Sequence, residues 1–572
     1  MTKDQQPTPH SYDTVIIGAG GAGLRAAVAA AAAGARVAVI SKVPPTRSHT
    51  VAAQGGINAA LGNRAADDWH WHAYDTMKGS AWLADEDAVN FMCERAPAAI
   101  IELEQMGMPF TRDMAGLIYQ RAYGGQRTEF GKGGLAYRAC AVADRTGHSL
   151  LHTLYAQALK YQVKFFVECI ALDLVKNDEG AITGVLVWQL ETGDIHYVAA
   201  TTTIIATGGF GQAYESTTAS SICTGDGGGM ALRAGLALAD MEFIQFHPTS
   251  LYGAGVLVTE GARGEGASLL NGKGERFMAD YAPEDMELAS RDKISRAMMA
   301  EIAAGRGAGK NGDHLWLDVR HLPEDIILHK LPSVMSICQT FARLDPRKDL
   351  IPVLPAVHFT MGGIRTDRHS LAAPHLLAIG EAACTSVHGA NRLGCNALLE
   401  LVIFGKAAGE RAAATKEKSR PATTANLQAA LEHFNAVRNA RGSLGTVHFK
   451  RELKRIMQAH ATIFRREDIL KTGLSSLQEL WRQWQVERRV SDTSLLWNNE
   501  LVEALEVDNL LRQSLCVMAS ALARTESRGA HYREDFPASN DAQWKHHSEV
   551  RMTADGTVHT AKSMVRGADF MV

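Results

Sequence analysis

The chain has 572 residues, of which 46% are hydrophobic and 21% charged, and its formal net charge is −3. A chain of this length exceeds what one hydrophobic core supports, so several domains are expected. A net charge this close to zero argues against nucleic acid as a partner. No stretch approaches the ~20 apolar residues that span a bilayer, so membrane association is expected only through a partner.

The N-terminal segment and the cysteines indicate the compartment. Residues 1–12 are polar and lack the apolar core of a signal peptide, which favours a bacterial cytoplasmic protein and leaves a processed organellar form open. The eight cysteines form no CxxC pair and have no disulfide rhythm, so isolated, buried thiols are expected. Such thiols cannot hold an iron–sulfur cluster, which needs clustered thiolates.

Residues 13–40 have the pattern of a strand, a glycine-rich turn, a helix and a second strand. The turn contains Gly18, Gly20, Gly21 and Gly23, at the spacing of a dinucleotide-binding loop. Its first glycine allows the tight turn, the second lets the backbone approach a diphosphate, and the last lets the helix pack on the strand. The start of the helix offers unpaired N–H groups and a partial positive charge to the phosphates.

The acid that usually follows about 20 residues later and binds a ribose hydroxyl is missing. Ser41 and Lys42 stand in its place. Residues 14–66 contain no Asp or Glu but five Arg or Lys. This charge balance suits a diphosphate and favours a retained flavin over a freely exchanging NAD.

Later segments extend the same pattern. Apolar strands are predicted at residues 202–205 and 375–379, and both run into glycines, so three strand ends of one sheet are expected to meet one ligand. The distance between these two strands predicts an inserted domain.

Beyond residue 421 apolar residues recur at helical spacing. The basic run at 448–466 is expected to be a solvated helix face, with a partner-docking surface as the alternative.

The segment Arg47-Ser48-His49-Thr50, followed by Gln54, resembles the flavinylation site of the succinate dehydrogenase and fumarate reductase flavoprotein family. The resemblance covers nearly the whole chain, including residues 143–148 and 524–531. It implies that His49 carries FAD covalently, whereas the residue by itself would indicate a structural histidine. Such a link prevents cofactor loss and makes the flavin a stronger oxidant, as the oxidation of an unactivated C–C bond requires.

The resemblance also implies the fold and the FAD contacts. The fold is α/β, with a Rossmann-like FAD-binding domain at 1–245 and 356–420, an inserted α+β capping domain at 246–355, a helical domain at 421–523 and an irregular tail at 524–572. The implied FAD contacts are His49, Gly18, Gly20, Gly21, Gly23, Ser41, Lys42, Ser48, Thr50, Gln54, Gly55, Gly56, Asp226, Glu381, Ala397 and Leu398. The family commonly has Ser in place of Ala397 and Gly or Ser in place of Cys395, which leaves one hydroxyl contact to the isoalloxazine open.

The substrate residues follow from the same resemblance. A small dicarboxylate needs cations or hydrogen-bond donors at both ends. By resemblance, succinate or fumarate is bound by His247, Thr259, His358 and Arg392. Arg291 matches the family's proton-transferring arginine, with Glu260 and Arg263 as its relay, although an arginine is by its intrinsic pKa a poor base. No metal site is predicted.

The implied activity is oxidation of succinate to fumarate by hydride transfer to FAD. Electrons then pass to an iron–sulfur partner subunit and on to quinone, through membrane anchor subunits that this chain meets only indirectly. The chain is expected to be peripheral, on the cytoplasmic side of a bacterial inner membrane.

Three alternatives to this function remain. The fumarate reductase flavoprotein shares nearly every site residue, but its members that this chain most resembles tend to have Glu at the position of Gln54. L-aspartate oxidase lacks the flavinylated histidine, and the intact set of substrate residues argues against a non-catalytic assembly subunit.

Overall fold

The structure, a computed structural model, describes residues 7–417 and 420–566. The first six residues of the polar N-terminal segment, and the last six of the predicted irregular tail, lie outside the described residues.

The helices and strands fall into four consecutive groups. The first is β1 (Thr8–Ile17), α1 (Gly21–Ala32), β2 (Val37–Ser41), β3 (Ile57–Asn58), α2 (Trp69–Gly79), α3 (Glu86–Gln105), β4 (Gln120–Arg127), β5 (Leu135–Cys140), α4 (Thr146–Lys160), β6 (Lys164–Val167), β7 (Cys169–Lys176), β8 (Ile182–Gln189), β9 (Ile195–Ile205), α5 (Asp226–Arg233) and β10 (Leu238–Ala239). The second is β11 (Ile244–Leu251), β12 (Val256–Leu257), α6 (Glu260–Gly264), β13 (Ser268–Leu270), α7 (Met278–Tyr281), α8 (Arg291–Glu301), β14 (Leu315–Asp318), α9 (Pro332–Ile337) and β15 (Ile351–Thr360). The third is β16 (Gly363–Arg365), β17 (Leu371–Ala373), β18 (Leu376–Ala378), β19 (Ala383–Cys384) and α10 (Asn396–Ala414). The fourth is α11 (Thr424–Arg438), β20 (Leu444–Gly445), α12 (Thr446–His460), β21 (Phe464–Arg465), α13 (Glu467–Glu487), β22 (Arg488–Arg489), α14 (Asn499–Ala523), β23 (Tyr532–Arg533), α15 (Asp541–Trp544), β24 (His546–Met552) and β25 (Val558–Met564).

The central sheet of the described chain runs β17-β18-β9-β1-β2-β6, with β7 and β8 joined to it through β9. Strands β18, β9, β1, β2 and β6 are mutually parallel. In register, Ile17 faces both Ile40 and Ile205, and Ile205 faces Ala378. The carboxyl ends of β1, β9 and β18 therefore lie together, which confirms the prediction that these strand ends meet. β1 begins before the predicted residue 13 because its polar first half pairs with β9 from Thr8 onward.

The glycines of the first turn have the expected steric roles. Gly18 has a φ of +110°, and a Cβ on it would lie 2.2 Å from the carbonyl oxygen of Ala206 at the end of β9. A Cβ on Gly23 would lie 2.0 Å from the carbonyl oxygen of Gly18, so α1 approaches β1 at a distance that only glycine permits. The turn thus fixes α1 with its N-terminus at the edge where the three strands end.

Both faces of the central sheet are buried, as parallel strands require. Ile16, Val39 and Ile204 pack with α1, α3, α4 and α10 in one core cluster. Val15 and Ile40 point the other way and share a second cluster with β7, β8 and the helices α11–α14. The C-terminal helices are therefore packed directly on the sheet that carries the dinucleotide turn.

The inserted segment forms a sheet of its own, in the order β12-β11-β15-β14-β13, with all neighbours antiparallel. Its apolar residues form a separate core with α8 and α9. The predicted boundaries of this domain, residues 246 and 355, fall inside β11 and β15, the two strands that connect it to the rest of the chain.

The predicted irregular tail is partly wrong. Residues 546–552 and 558–564 form the hairpin β24–β25, and β24 also pairs with β10, more than 300 positions earlier. A strand that pairs with a distant edge carries little local signal, which is why the sequence did not reveal it. The basic run is also partly mispredicted: Arg465 is fully buried and donates to the carbonyl oxygen of Glu242 (2.7 Å), whereas Arg451, Arg455 and Arg466 are exposed.

All eight cysteines are free and buried, as predicted. Within the described residues, no helix is both long enough and apolar enough to cross a membrane. The same residues contain no group of three or more His, Cys, Asp or Glu that could hold a metal ion.

Candidate active site

A cavity of about 810 Å³ lies at the carboxyl ends of β1, β9 and β18. Its volume is in the upper part of the range for ligand sites. Its wall includes every sequence-predicted site residue except Gly23 and Arg263. Gly23 lies beneath the turn, and Arg263 lies behind Glu260, where its Nη1 donates to the carbonyl oxygen of Glu287. Residues as far apart in the chain as Ile17 and Leu401 thus line one cavity.

One end of this cavity is shaped for a dinucleotide. Gly20 is the N-cap of α1 and provides no side-chain cap, and the first turn of α1 contains no acid. The N–H of Gly21 donates to Thr50 Oγ1 at 3.0 Å. Ser48 Oγ and Gln54 Oε1 are buried in the wall and find no hydrogen-bond partner among the described residues. Unfilled polar atoms beside a helix N-terminus fit a flavin dinucleotide, whose diphosphate and ring have acceptors and donors to offer.

His49 lies in the wall, in a single 3₁₀ turn after the first helix-turn unit. Its Nδ1 accepts the backbone N–H of Ser220 at 3.2 Å. Burial lowers the pKa of His49 to about 4, so the imidazole is neutral at physiological pH. A neutral imidazole retains the lone pair that bond formation to an electrophilic carbon requires.

Two further histidines face each other across strands β11 and β15. The rings of His247 and His358 are 4.9 Å apart between centroids. The Nδ1 of His247 accepts the N–H of Thr249 (3.2 Å), and the Nδ1 of His358 contacts Thr218 Oγ1 (2.8 Å). Burial is the largest cause, and the positive charge of Arg291 the second largest, that holds the pKa of both imidazoles well below the usual range.

Arg291 is the first residue of α8 and is anchored on both sides of its guanidinium. Nε donates to Glu260 Oε2 at 2.7 Å, and Nη1 donates to Gln245 Oε1 at 2.9 Å. Glu260 Oε1 accepts the N–H of Gly124 (3.0 Å), and Arg263 Nη2 lies 3.5 Å from Glu260 Oε2. Burial raises the pKa of Glu260, but Arg291 and Arg263 outweigh that effect and the net pKa is lowered. Burial lowers the pKa of Arg263.

Gln245 is a site residue that sequence reasoning missed. Its Oε1 also accepts from Arg392 Nη2 (3.1 Å), so two guanidinium groups converge on one neutral oxygen. Arg392 Nε is buried without a partner among the described residues, and the guanidinium lies 4.3 Å from the ring centre of Phe359. Burial and then Arg291 lower the pKa of Arg392 to about 9. The only available signal was the position of Gln245, two residues before His247.

The atypical positions 395 and 397 both line the cavity. Cys395 has a φ of +67°, in the left-handed region that favours glycine, and its Sγ accepts the N–H of Gly56 at 3.2 Å. The thiol therefore replaces a hydroxyl or an absent side chain without leaving the Gly56 N–H unpaired. Ala397, one residue into α10, presents only a methyl group to the cavity.

The fold and the cavity define a dinucleotide-binding flavoprotein with a second, cation-rich subsite. The FAD binding domain model matches residues 13–398, and the fumarate reductase flavoprotein C-terminal model matches residues 450–569. The succinate dehydrogenase flavoprotein subunit of Rickettsia bellii is 51% identical, over 96% of this chain and 94% of that protein. The Escherichia coli fumarate reductase flavoprotein subunit is 38% identical, over 97% and 94%. A mutant structure of E. coli quinol fumarate reductase superimposes with a TM-score of 0.92 at 37% identity, over 98% of this chain and 97% of that one.

The chain therefore belongs to the family of succinate dehydrogenase and fumarate reductase flavoprotein subunits, and its cofactor is FAD. The α/β fold with an FAD-binding domain, and the family that the Arg-Ser-His-Thr segment indicated, are both confirmed.

Proposed function

We propose that this chain is the flavoprotein subunit of a succinate dehydrogenase. The observation that carries the proposal is that Arg291 and Arg392, which line the same cavity as His49, converge on Gln245, which is buried behind the cavity wall. Arg291 pairs with Glu260, whereas Arg392 has no carboxylate within ion-pair distance among the described residues, so the site keeps excess positive charge that a small dianion offsets. Relatives named as succinate dehydrogenase flavoprotein subunits, at 51% identity over nearly the whole chain, support the same assignment.

The proposed reaction uses the protein side chains to hold the substrate and to move one proton. Bound FAD supplies the acceptor for a hydride from one methylene of succinate. His247, Thr259, His358 and Arg392 hold the two carboxylates. Arg291 takes the proton from the other methylene and is connected to Glu260 by the 2.7 Å hydrogen bond, with Arg263 behind it as the next relay member. Arg291 can take up this proton only after it passes one of its own to Glu260, and the direct hydrogen bond in a site closed to water provides that route.

His49 is proposed to bind FAD covalently. Its imidazole is neutral and faces the cavity, and the buried Ser48 Oγ beside it has no partner among the described residues. Lys42, Asp226, Glu381 and Leu398 are proposed FAD contacts, because all four lie on the same wall. Burial raises the pKa of Glu381 to about 7, so this carboxyl is partly protonated near neutral pH and adds little negative charge.

Gln54 supports oxidation over the reverse reaction. Its Nε2 donates to the carbonyl oxygen of Leu257 at 2.9 Å, and it brings no charge to the cavity. A carboxylate at this position would disfavour reduction of the bound flavin, because negative charges repel each other. The neutral Gln54 does not oppose the transfer of electrons from succinate to the flavin in this way. The alternative function, fumarate reduction, is favoured by one observation, the TM-score of 0.92 to a quinol fumarate reductase.

The remaining parts of the proposal concern partners and location. We propose that electrons leave to an iron–sulfur partner subunit and then, through membrane anchor subunits, to quinone. The scattered positions of the eight buried cysteines, and the word "subunit" in the relatives' names, support an external acceptor. The chain is proposed to be peripheral on the cytoplasmic side of a bacterial inner membrane.

Denaturing-gel flavin fluorescence of the purified chain, followed by succinate titration, tests the proposal. The parent chain is expected to keep its flavin through denaturation, and the His49→Ser variant to lose it. Succinate is expected to bleach the flavin absorbance of the parent chain. A parent chain that releases all its flavin on denaturation would refute the covalent assignment. Bleaching by aspartate instead of succinate would contradict the proposed substrate.

A further inference from the structure

Lys42 stands where dinucleotide-binding folds usually have a ribose-binding acid, and it is held by an unusual number of partners. Its Nζ lies 2.7 Å from Thr224 Oγ1, 2.8 Å from Asp226 Oδ2 and 2.7 Å from Glu506 Oε1. Burial lowers the pKa of Lys42, but Asp226 and Glu506 outweigh burial and raise it, so the ammonium is charged. Two acids from distant segments thus meet at the end of β2.

Asp226 is held from a second direction. Its Oδ1 accepts from Thr224 Oγ1 (2.9 Å) and from Asn509 Nδ2 (3.2 Å). Asn509 Oδ1 in turn accepts from Arg233 Nη1 at 2.7 Å. Lys42 and Asp226 line the FAD cavity, whereas Glu506 and Asn509 do not. Lys42 and Asp226, which line the cavity, are therefore oriented by Glu506 and Asn509, which lie behind them.

Both supporting residues come from one stripe of α14, in the C-terminal helical domain. Glu506, Asn509 and Gln513 are spaced i, i+3 and i+7, which places them on one helix face. This face packs on the glycines at the start of α5: a Cβ on Gly229 would lie 2.1 Å from Asn509 Oδ1, and Gln513 Nε2 donates to the carbonyl oxygen of Gly225 (2.7 Å). The close approach allows α14 to reach the cavity wall through Asp226.

We propose that Glu506, assisted by Asn509, is a positioning residue for the adenosine half of FAD. Because Lys42 pairs with Glu506 as well as with Asp226, the ammonium neutralises Asp226 only in part. Asp226 can therefore still accept a hydrogen bond from a ribose hydroxyl. The acid that the end of β2 lacks is thereby supplied by Asp226, and α14 of the C-terminal helical domain holds it in place. The inference rests on the proposed FAD site and adds a residue more than 460 positions from Lys42 to it.

The test uses the full-length chain with His49→Ser, so that flavin exchanges, and the affinities for FAD, FMN and ADP are measured by fluorescence titration. FMN lacks the adenosine half, and ADP lacks the flavin. Glu506→Gln keeps the shape of the side chain and removes its charge. We expect affinities for FAD and ADP about tenfold weaker, since a charge-assisted hydrogen bond is lost, with the affinity for FMN unchanged.

Glu503→Gln is the matched control. Glu503 lies one turn earlier on α14 and pairs with Lys450 at 3.2 Å, with its side chain 42% exposed, so its loss is expected to leave all three affinities unchanged. Asn509→Ala is the second variant, with the same expected selectivity for FAD and ADP over FMN, and it decides the question if Glu506→Gln does not accumulate as folded protein.

An equal loss of FMN and FAD affinity would show a merely structural role and overturn the inference. Unchanged or stronger FAD and ADP binding in Glu506→Gln would also overturn it. Failure of the proposed function is distinguishable, because it would show as an absence of FAD binding by the His49→Ser chain, or as an absence of bleaching by succinate in the chain that keeps His49.

Discussion

At the residue scale, Arg291 is held by Glu260 and Gln245 so that the rest of its guanidinium is left for the substrate. Replacing Arg291 with Gln is expected to lower the rate of succinate oxidation by about a thousandfold or more, because it removes the proposed proton acceptor. FAD content is expected to be unchanged. Steady-state turnover together with flavin absorbance checks both expectations.

Lys293→Gln is the control for this substitution, because Lys293 lies on the same helix and is exposed. It is expected to leave turnover unchanged. Residual activity of Arg291→Gln within tenfold of the parent chain would remove Arg291 from its proposed role.

The two cavity histidines predict a pH effect on binding. The pKa of His247 and of His358 is held well below the usual value, first by burial and then by Arg291, so both are neutral in the free protein at pH 6. A bound dianion opposes the arginine charges and raises these pKa values, so protons are taken up on binding. The uptake is expected to grow as the pH falls from 8 towards 6.

Isothermal titration with malonate, in buffers of different ionisation enthalpy, measures this uptake. Malonate is a dicarboxylate with a single methylene and cannot be desaturated, so no reaction heat interferes. Binding without proton uptake at pH 6, or with proton release, would contradict the proposed placement of the carboxylates beside His247 and His358.

At the element scale, a buried ion cluster connects strand β24 to Asp85 and Asp240 in the first part of the chain. His547 is fully buried, with Nδ1 2.7 Å from Asp240 Oδ2 and Nε2 3.2 Å from Asp85 Oδ1. Burial alone would lower the pKa of His547, but the two carboxylates raise it to about 9. Because the folded pKa lies above the unfolded value of ~6.5, the stabilisation is fully present below that pH and is lost as the pH rises towards 9.

The expected size of this loss is roughly 3 kcal/mol, from a shift of about 2.5 pKa units at 1.36 kcal/mol each. Urea unfolding of the parent chain and of His547→Gln, followed from pH 6 to 9.5, measures this loss. The parent chain is expected to be the more stable at pH 6, and its advantage in unfolding free energy is expected to shrink as the pH rises. His559→Gln, at an exposed position on β25, is the control and is expected to change the unfolding free energy little. A difference for His547→Gln that widens with pH would contradict the assignment.

At the scale of the whole molecule, the substrate subsite joins two parts of the fold. Arg291 comes from α8 of the inserted segment, whereas Arg392 lies just before α10 in the sheet-bearing part. A dicarboxylate held by both is therefore expected to stabilise the folded chain, by about 2.7 kcal/mol at a hundredfold excess over its Kd. Thermal unfolding with malonate measures the effect, and acetate, which reaches only one arginine, is expected to give a smaller one.

Arg392→Gln serves as the matched variant for this measurement, since it removes one of the two arginines and leaves the inserted segment intact. The stabilisation by malonate is expected to fall to the level given by acetate. Equal stabilisation of the parent chain by malonate and acetate would show that the two arginines do not act on one ligand.

The sequence by itself determined the features that neighbouring residues encode. The glycine spacing from Gly18 to Gly23 specified a turn and a helix start, because the steric demand is local. The isolated cysteines could likewise be interpreted from their spacing alone, whereas the Ser48-His49-Thr50 segment could be interpreted only through its resemblance to a known family. These features were enough to identify the family and the FAD-binding fold.

Only the tertiary structure decided which distant residues meet. The pairing of β24 with β10, the bridging of Arg291 and Arg392 by Gln245, and the reach of Glu506 to Lys42 join residues up to 464 positions apart. No periodicity or spacing signals such contacts. They depend on how the helices and sheets pack around shared cores, where a buried polar group takes whichever partner the packing brings within hydrogen-bond distance.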